Sequence, residues 1–420
     1  MNSLSLRVSS LVLLLGASGC NCGAPIVEDA GTGGGSASGG GSATGGGKAD
    51  AGTDAGSTGG GSAVGGGTAT TGGGSAATGG GSAATGGGSG SDAGTRTVLI
   101  AESSGVRAYT FTDSTKQFTS LGADAGLTSG ASLSLVRVPG REKFFAYNGD
   151  DAFTFALSVG NGQVTRLSQF ATQSTGQTYG RLALHPNGLW AYLTGDCSST
   201  RNTYMTSVDP VDSHLTGITG PNADTCTGTA GTPDGVAVSA DGQTLLIAGS
   251  ELELSNIVDG GVAIPRASIA FTGNRLFELA LAHDERTIVA AANGNKVQVF
   301  AADAGFAGVS ALQSAAGPMG ASDVCVHPTL NVFYAVGSGE AAVVTYTRQT
   351  DGTLMENSRT TLGAAGRDVA VSADGRFLWV ASPANNSVST LELDAAGLPM
   401  GTPVVSTTVG MGPSAILEWR

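Results

Sequence analysis

The five cysteines are the residues whose chemistry can be judged most directly from spacing. Cys197 and Cys226 lie 29 residues apart, and a disulfide between them would stabilise the folded chain by about 3–4 kcal/mol on the loop-entropy model. We predict that disulfide. Cys325 lies in the apolar run 323–326 and is expected to pack as a small buried hydrophobic side chain. No cysteine pair has zinc-ligand spacing with a histidine at a fitting distance, so we expect no metal site, and Cys22 is assigned no role.

Other motifs that would indicate a reaction or a charged partner are missing after residue 95. That region contains no Gly-x-Ser-x-Gly turn and no phosphate loop with its lysine, which argues against a serine hydrolase or a nucleotide-binding protein. We therefore expect no cofactor. The formal net charge is −13, and no run of Lys or Arg occurs. Nucleic acid and anionic lipid surfaces are poor partners for this chain, because both require a basic surface.

The first 19 residues have the pattern of an export signal. Arg7 precedes the apolar run 8–15, and small residues at 17–19 lead to Cys20. This arrangement resembles the lipobox of bacterial lipoproteins, which implies cleavage before Cys20 and acylation of its new amino terminus. Asn21 resembles the sorting signal for the outer membrane. We expect an exported protein anchored by lipid to the cell envelope, in the outer membrane. The alternative is an ordinary secretory signal followed by a coincidental cysteine.

Residues 31–95 predict a tether rather than a domain. They repeat units such as GGGSAAT with almost no aliphatic or aromatic side chains. Burial therefore cannot offset the entropy of ordering the backbone. As a flexible coil the segment would span roughly 45 Å. We divide the chain into a signal peptide (1–19), a lipid-anchor segment (20–30), a disordered linker (31–95) and a folded domain (96–420).

The folded domain contains an internal repeat. The stretches LALHPNGLWAYLTG, VAVSADGQTLLIAG, LALAHDERTIVAAANG, VCVHPTLNVFYAVG and VAVSADGRFLWVAS each join two apolar runs through a polar turn. Taking Val138, His185, Ser239, His283, His327 and Ser372 as equivalent gives spacings of 47, 54, 44, 44 and 45 residues. A unit of about 46 residues with four short strands is typical of a β-propeller blade.

Six internal copies and the two ends of the domain predict an all-β, seven-bladed propeller. The segment 413–419 has the pattern of a first strand without a second, and 97–101 that of a second strand without a first. Their pairing would close the ring and leave no open sheet edge there. Runs such as 377–381 are apolar on both faces, as expected for blades packed between two neighbours. An open two-sheet sandwich is the alternative fold.

Three of the four histidines share a repeat position. His185, His283 and His327 align with Ser239 and Ser372 in the turn between the first and second strands of a blade. Exchange of His with Ser in a turn indicates backbone hydrogen bonding rather than catalysis. His214 lies in a variable outer segment and carries no argument.

The SADG turn and the following apolar run, at this period, resemble the lactonase-type propellers, which include 6-phosphogluconolactonase-like and YVTN-repeat proteins. In enzymes of that family the segment that leads into an innermost strand often has the sequence Gly-Pro-Arg-His. Gly180-Arg181 and Gly366-Arg367 match its arginine, and Arg275 matches less closely, but the histidine is missing. The resemblance implies guanidinium groups from alternate blades that bind a carboxylate or phosphate. The alternative is that these arginines pair with Asp323, Asp368 or Glu278.

These observations leave three functions open. The first is a cell-envelope lipoprotein whose propeller binds a protein or a small anionic ligand. The second is a lactone hydrolase that acts on an anionic sugar lactone, with Arg181, Arg275 and Arg367 holding the substrate and polarising its carbonyl. The third is a structural envelope protein. The loss of the family's histidine, with no evident replacement base, favours the first. The stapled segment between Cys197 and Cys226 is a further candidate recognition element.

Overall fold

Apolar runs separated by tight turns form strands throughout the described chain. The computed structural model describes residues 94–127, 134–148, 151–158, 161–171, 180–197, 200–217, 234–261, 263–271, 273, 275–401 and 405–419. The signal, the lipid-anchor segment and all but the last two residues of the predicted tether lie outside these ranges. No helix in the described part is both long and apolar enough to cross a membrane.

The strands form seven antiparallel sheets, which we number as blades 1 to 7. Blade 1 holds β1 (Thr95–Glu102), β2 (Gly105–Thr112), β3 (Gln117–Ser120) and β4 (Ala125–Gly126), and blade 2 holds β5 (Ser134–Arg137), β6 (Lys143–Tyr147), β7 (Asp151–Ser158) and β8 (Gln163–Ala171). Blade 3 holds β9 (Leu182–Leu184), β10 (Trp190–Cys197), β11 (Thr200–Val208) and β12 (Leu215–Gly217), and blade 4 holds β13 (Gly235–Val238), β14 (Thr244–Ala248), β15 (Leu252–Ile257) and β16 (Ala263–Ile269).

The last three blades complete the ring. Blade 5 holds β17 (Leu276–Leu281), β18 (Thr287–Ala292), β19 (Lys296–Ala302) and β20 (Val309–Ala316); blade 6 holds β21 (Ala321–Val326), β22 (Val332–Gly337), β23 (Glu340–Arg348) and β24 (Leu354–Thr361). Blade 7 holds β25 (Asp368–Val371), β26 (Phe377–Ser382), β27 (Ser387–Glu392) and β28 (Val405–Thr408), and β29 (Ala415–Trp419) joins blade 1. Short 3-10 turns occur at Asp259–Gly261, Ala304–Phe306 and Pro383–Asn385.

The closing strand pairs as the sequence predicts. β29 lies antiparallel to β1, with Thr97 opposite Trp419 and Ala101 opposite Ala415. The first strands of neighbouring blades touch all the way round the ring, including β25 with β29 and β29 with β5. The seven-bladed propeller is therefore confirmed, and the chain closes it with one strand from its carboxyl-terminal end.

Each blade is covered on both faces. Every residue of β18, β22 and β26 is buried, which confirms the prediction made from their continuous apolar runs. Aromatic side chains fill the seam between blades 7 and 1, where Phe111 lies 5.0 Å from Phe377 and 5.2 Å from Trp379 between ring centroids. On the other side of blade 1, the closing strand's Trp419 packs against Phe144 of blade 2.

An ion-pair network joins the two ends of the domain. It lies on the face of the propeller opposite the one where the first strands of the blades begin. Arg96 of β1 lies 2.8 Å from Asp113, 2.6 Å from Asp374 of blade 7 and 3.2 Å from Glu418 of β29. Glu418 also accepts a hydrogen bond from the backbone N–H of Ala373, at 2.5 Å. One guanidinium thus contacts all three segments that meet at the closure.

Candidate functional site

The start of each innermost strand defines a repeated position around the ring. In blades 2 to 7 the N–H of one turn residue donates to the carbonyl five residues later, and the residue four before that turn residue lies in or next to the first half of the innermost strand. We call it the mouth position, and the face on which it lies the mouth face. Its occupants are Ser134, Arg181, Gly235, Glu278, Asp323 and Asp368, and Ala415 in blade 1.

Most polar side chains at the mouth position join neighbouring blades. The Asp323 carboxylate accepts the N–H of Val369 at 2.7 Å, and that of Asp368 accepts the N–H of Ile416 at 2.9 Å. Both aspartates are fully buried. These carboxylates therefore hold the innermost strands of blades 6, 7 and 1 together, because each is hydrogen-bonded to the backbone of the next blade.

Arg181 and Glu278 occupy the mouth position in blades 3 and 5. Arg181 Nε donates to Glu278 Oε2 at 2.6 Å, and the two side chains are 4% and 5% exposed. Gly235 holds the mouth position of blade 4 between them, where a Cβ atom would collide with the carbonyl of Phe277. The ion pair therefore crosses blade 4, whose residue at the mouth position is a glycine. Because both side chains are buried, we expect the loss of either one to destabilise the folded state.

Arg275 lies in the segment leading into blade 5 and pairs with Asp234 at the edge of blade 4. Its Nη2 donates to Asp234 Oδ1 at 2.5 Å, and its Nε contacts the other carboxylate oxygen. The guanidinium also lies 5.5 Å from the ring centroid of Phe277. Arg275 is 24% exposed and Asp234 6%. This bidentate pair uses the donor geometry with which arginine would otherwise bind a carboxylate ligand.

Arg367 precedes the mouth position of blade 7. Its backbone N–H donates to Ala381 at 2.8 Å, its carbonyl accepts from Ser322 at 3.4 Å, and its side chain is half-buried. The structure therefore places all three candidate arginines at the mouth face, in blades 3, 5 and 7. Two of them bind carboxylates of the protein. Glu278 is among the partners expected from the sequence, whereas Asp234 is not, because nothing in the repeat marks its position.

A buried carboxylate in blade 1 is a site residue that the sequence did not indicate. Glu102 is fully buried at the end of β1. It accepts hydrogen bonds from the Tyr109 hydroxyl and from the N–H of Gly410, the latter at 2.9 Å, and Arg107 Nη2 lies 3.5 Å away. Burial, followed by the contact with Glu102, raises the pKa of Tyr109 above its ordinary value, so this phenol remains a donor. The Glu102 carboxylate thus connects β1 to the loop that precedes the closing strand.

The histidines have the structural role predicted for them, with one correction. His185 Nε2 donates to Gly242 O at 2.9 Å, while its Nδ1 accepts the N–H of Asn187. His327 contacts Gly375 in the same way, and each glycine belongs to the next blade's turn. The predicted equivalence of His283 is wrong, because Ala282 occupies the repeat position and His283 follows it. The sequence could not show this shift, since both alignments place a polar residue in the turn.

Cys325 is fully buried in β21, as predicted. Cys197 ends β10, but Cys226, Cys20 and Cys22 lie outside the described residues, so the disulfide and the lipid attachment remain predictions. Within the described part of the chain, no three His, Cys, Asp or Glu side chains come together as a metal-binding group.

Comparison with known proteins supports the family resemblance. Residues 279–415 match the family described as "Lactonase, 7-bladed beta-propeller". No curated protein sequence matches the chain. Among solved structures, a candidate 6-phosphogluconolactonase of Bacteroides fragilis is 18% identical with a TM-score of 0.64, covering 79% of this chain and 99% of its own. The periplasmic gluconolactonase of Pseudomonas aeruginosa is 18% identical with a TM-score of 0.63, covering 78% and 99%.

Identities this low establish the fold and leave the activity open. The matched segment comprises the repeats from the first strand of blade 5 to the start of the closing strand. Residues 279–415 are therefore similar to that family, and the seven closed blades show that the described chain has the fold of a seven-bladed β-propeller.

Proposed function

We propose that the chain is an exported lipoprotein, anchored through Cys20 in the outer membrane, whose propeller is a binding module. The observation that carries the proposal is the pairing of Arg181 with Glu278 and of Arg275 with Asp234 at the mouth face. A lactone-binding site needs guanidinium donors directed at the substrate, and these donors already contact carboxylates. Displacing either carboxylate would leave it partly desolvated, which costs several kcal/mol for a buried ion.

The positions of the histidines also support binding over turnover. All four lie among the described residues, and each belongs to a turn on the face opposite the mouth. The carboxylates near the mouth are engaged with arginines or with the backbone of the next blade. A general base needs a lone pair directed at the reacting atom, and these contacts direct the carboxylates elsewhere.

The alternative is a lactone hydrolase. The family match and the gluconolactonase of similar fold favour it, as does the partial exposure of Arg275. In that case Arg181, Arg275 and Arg367 would hold an anionic sugar lactone and stabilise the developing negative charge.

A combined hydrolysis and thermal-shift measurement on the full chain separates these functions. Glucono-1,5-lactone hydrolysis is followed by proton release, and the melting temperature is recorded with gluconate and 6-phosphogluconate. We expect no hydrolysis above the uncatalysed rate. Turnover that is lost in Arg181→Met and Arg367→Met, but kept in a variant of the exposed Arg166, would establish the lactonase and reject the proposal. A melting shift without turnover supports a small anionic ligand, and the absence of both directs the search to protein partners.

The anchor has its own test. Mass spectrometry of the amino-terminal peptide should show a diacyl- or triacyl-modified Cys20, and Cys20→Ser should abolish the modification. An unmodified mature terminus would reject the lipid anchor.

A further inference from the structure

His327 joins a turn of blade 6 to a turn of blade 7 on the face opposite the mouth. The residue is only 4% exposed. Its Nε2 contacts Gly375 O at 3.1 Å, and its Nδ1 lies 3.2 Å from the backbone nitrogens of both Thr329 and Leu330. Because a backbone N–H can only donate, Nδ1 is the acceptor and Nε2 carries the hydrogen. These contacts therefore require the neutral imidazole.

Protonation of His327 would act on both sets of contacts. It converts Nδ1 from an acceptor into a donor, and the new N–H would point at the N–H groups of Thr329 and Leu330. A buried donor without an acceptor is unfavourable, so the charged ring would have to move. Any such movement also withdraws Nε2 from Gly375. One proton thus affects the turn of blade 6 and its contact with blade 7.

Two titratable groups from neighbouring blades influence the charge on His327. Nε2 of His283 in blade 5 lies 2.6 Å from His327 O, and this second imidazole disfavours a positive charge. Asp374 in blade 7 favours one, but Arg96 contacts its carboxylate at 2.6 Å. Burial has the largest effect, and the pKa of His327 lies below its ordinary value.

The other ionisable groups in the turns around His327 are engaged with different partners. Tyr334 donates its hydroxyl to the carbonyl of Gly397 in blade 7, at 2.5 Å. Asp394 accepts two N–H groups of its own turn at 2.8 Å, and Arg376 contacts a carboxylate of blade 1 at 3.2 Å. The imidazole packs closely against Gly397, since a Cβ atom there would lie 3.3 Å from the ring. Displacing the ring would therefore also disturb the contact made by Tyr334.

The His327 contact lies at one end of the seam between blades 6 and 7. At the mouth end, the Asp323 carboxylate accepts the N–H of Val369 at 2.7 Å. The fully buried thiol of Cys325 belongs to an apolar cluster that both blades share. Loss of the His327 contact would open the seam from the face opposite the mouth, while the Asp323 contact holds the mouth end. This opening would give solvent access to Cys325.

We propose that His327 is a proton-sensitive latch, which closes the seam between blades 6 and 7 when it is neutral and releases it when it is protonated. The latch goes beyond the proposed function, because it uses neither Cys20 nor the arginines of the mouth face. It makes the seam respond to acid at one end only.

Hydrogen exchange on the full chain tests the latch at its own amides. Protection is the exchange rate of the unfolded chain divided by that of the native chain, measured at pH 7.5 and at pH 5.5. We expect protection of the Thr329 and Leu330 amides to fall about tenfold between these pH values. An opened histidine with a pKa of about 6.5 takes up a proton in this range, whereas the closed ring stays neutral. Val369 should keep its protection, since its acceptor is at the mouth end.

Two variants provide matched controls. His327→Gln keeps a donor and an acceptor but has no titrating group, so the tenfold fall should disappear. His214→Gln removes a histidine whose side chain is 40% exposed and which lies in blade 3, and it should leave the fall unchanged. If His327→Gln does not fold, the comparison of Val369 with Thr329 in the natural chain still decides.

Labelling of Cys325 measures the opening of the seam itself. The reagent is 4,4′-dithiodipyridine, which reacts with thiols in acid, and mass spectrometry identifies the labelled residue. Relative to the unfolded chain at the same pH, labelling of Cys325 should be faster at pH 5.5 than at pH 7.5. The same increase should be missing in His327→Gln.

Four results would each overturn the latch. Equal loss of protection at Val369 would mean general destabilisation, and unchanged protection at Thr329 and Leu330 would mean that the turn does not open. A fall that persists in His327→Gln would assign the effect to another group. Unchanged labelling of Cys325 would confine the change to the turn. Lactone turnover bears on the arginines alone, so the latch and the proposed function fail separately.

Discussion

The buried ion pair between Arg181 and Glu278 allows a quantitative test of the interactions at the mouth position. Replacing either partner alone, as Arg181→Met or Glu278→Leu, leaves the other charge buried and should cost about 3–5 kcal/mol of unfolding free energy. The propeller spans 325 residues from Thr95 to Trp419. At about 2.1 cal/mol/K of unfolding entropy per residue, that cost corresponds to a fall in Tm of roughly 4–7 °C.

The double variant, in which both Arg181 and Glu278 are replaced, distinguishes a coupled ion pair from two independent side chains. Replacing both groups with apolar side chains removes the uncompensated charge, so the double variant should be more stable than either single variant. Urea and thermal unfolding of all four proteins give the coupling energy directly. The matched control is the pair of Arg348 with Asp284, which has a similar 2.7 Å contact but a 42% exposed carboxylate, and which should contribute only about 0.2–1 kcal/mol. Additive losses in the double variant, or single losses no larger than in the control pair, would refute the reasoning.

Three further perturbations test the closure and the interblade turns. Gly410→Ala places a Cβ atom against the carboxylate of Glu102 and should lower the free energy of unfolding by about 1–3 kcal/mol. The control is Gly363→Ala, whose Cβ would enter open space and which should be nearly neutral in the same unfolding assay. Burial alone would raise the pKa of Asp374, but the hydrogen bond from Arg96 prevails and lowers that pKa. The stabilisation by the ionised carboxylate is therefore present at neutral pH and is lost as the pH falls below about 4. In Asp374→Asn the free energy of unfolding should depend less on pH over that range. Burial lowers the pKa of His327, so below about pH 6.5 the unfolded chain takes up a proton first and stability falls. His327→Gln should remove that decline, and an unchanged pH profile would contradict the assignment.

The architecture was predictable because local signals repeat. Turns such as Asp241-Gly242 and Asp374-Gly375 mark the same point in successive blades, and apolar runs follow at fixed offsets. The closure followed from strand count, since 97–101 and 413–419 each lacked a partner. The observed register, from Thr97 opposite Trp419 to Ala101 opposite Ala415, agrees with that expectation.

The chemistry of the mouth was less predictable because it depends on side chains that cross between blades. The repeat places Arg181 at the start of a first strand, but its partner Glu278 is 97 residues away and two blades further round. Whether an arginine contacts a ligand or a carboxylate depends on the length of the side chains and on the space left by Gly235. The spacing of residues along the sequence encodes neither.

The acids at the mouth position link neighbouring blades. Asp323 and Asp368 bind the backbone of the next blade, so this position already favours carboxylates for structural reasons. Glu278 has one more methylene than its neighbours in blades 6 and 7, and its carboxylate contacts Arg181. Glu278→Asp shortens this side chain by one methylene and should therefore weaken the 2.6 Å contact with Arg181 Nε. Gluconate and 6-phosphogluconate should then raise the Tm of Glu278→Asp more than that of the natural chain. Equal shifts would mean that Glu278 does not limit anion binding.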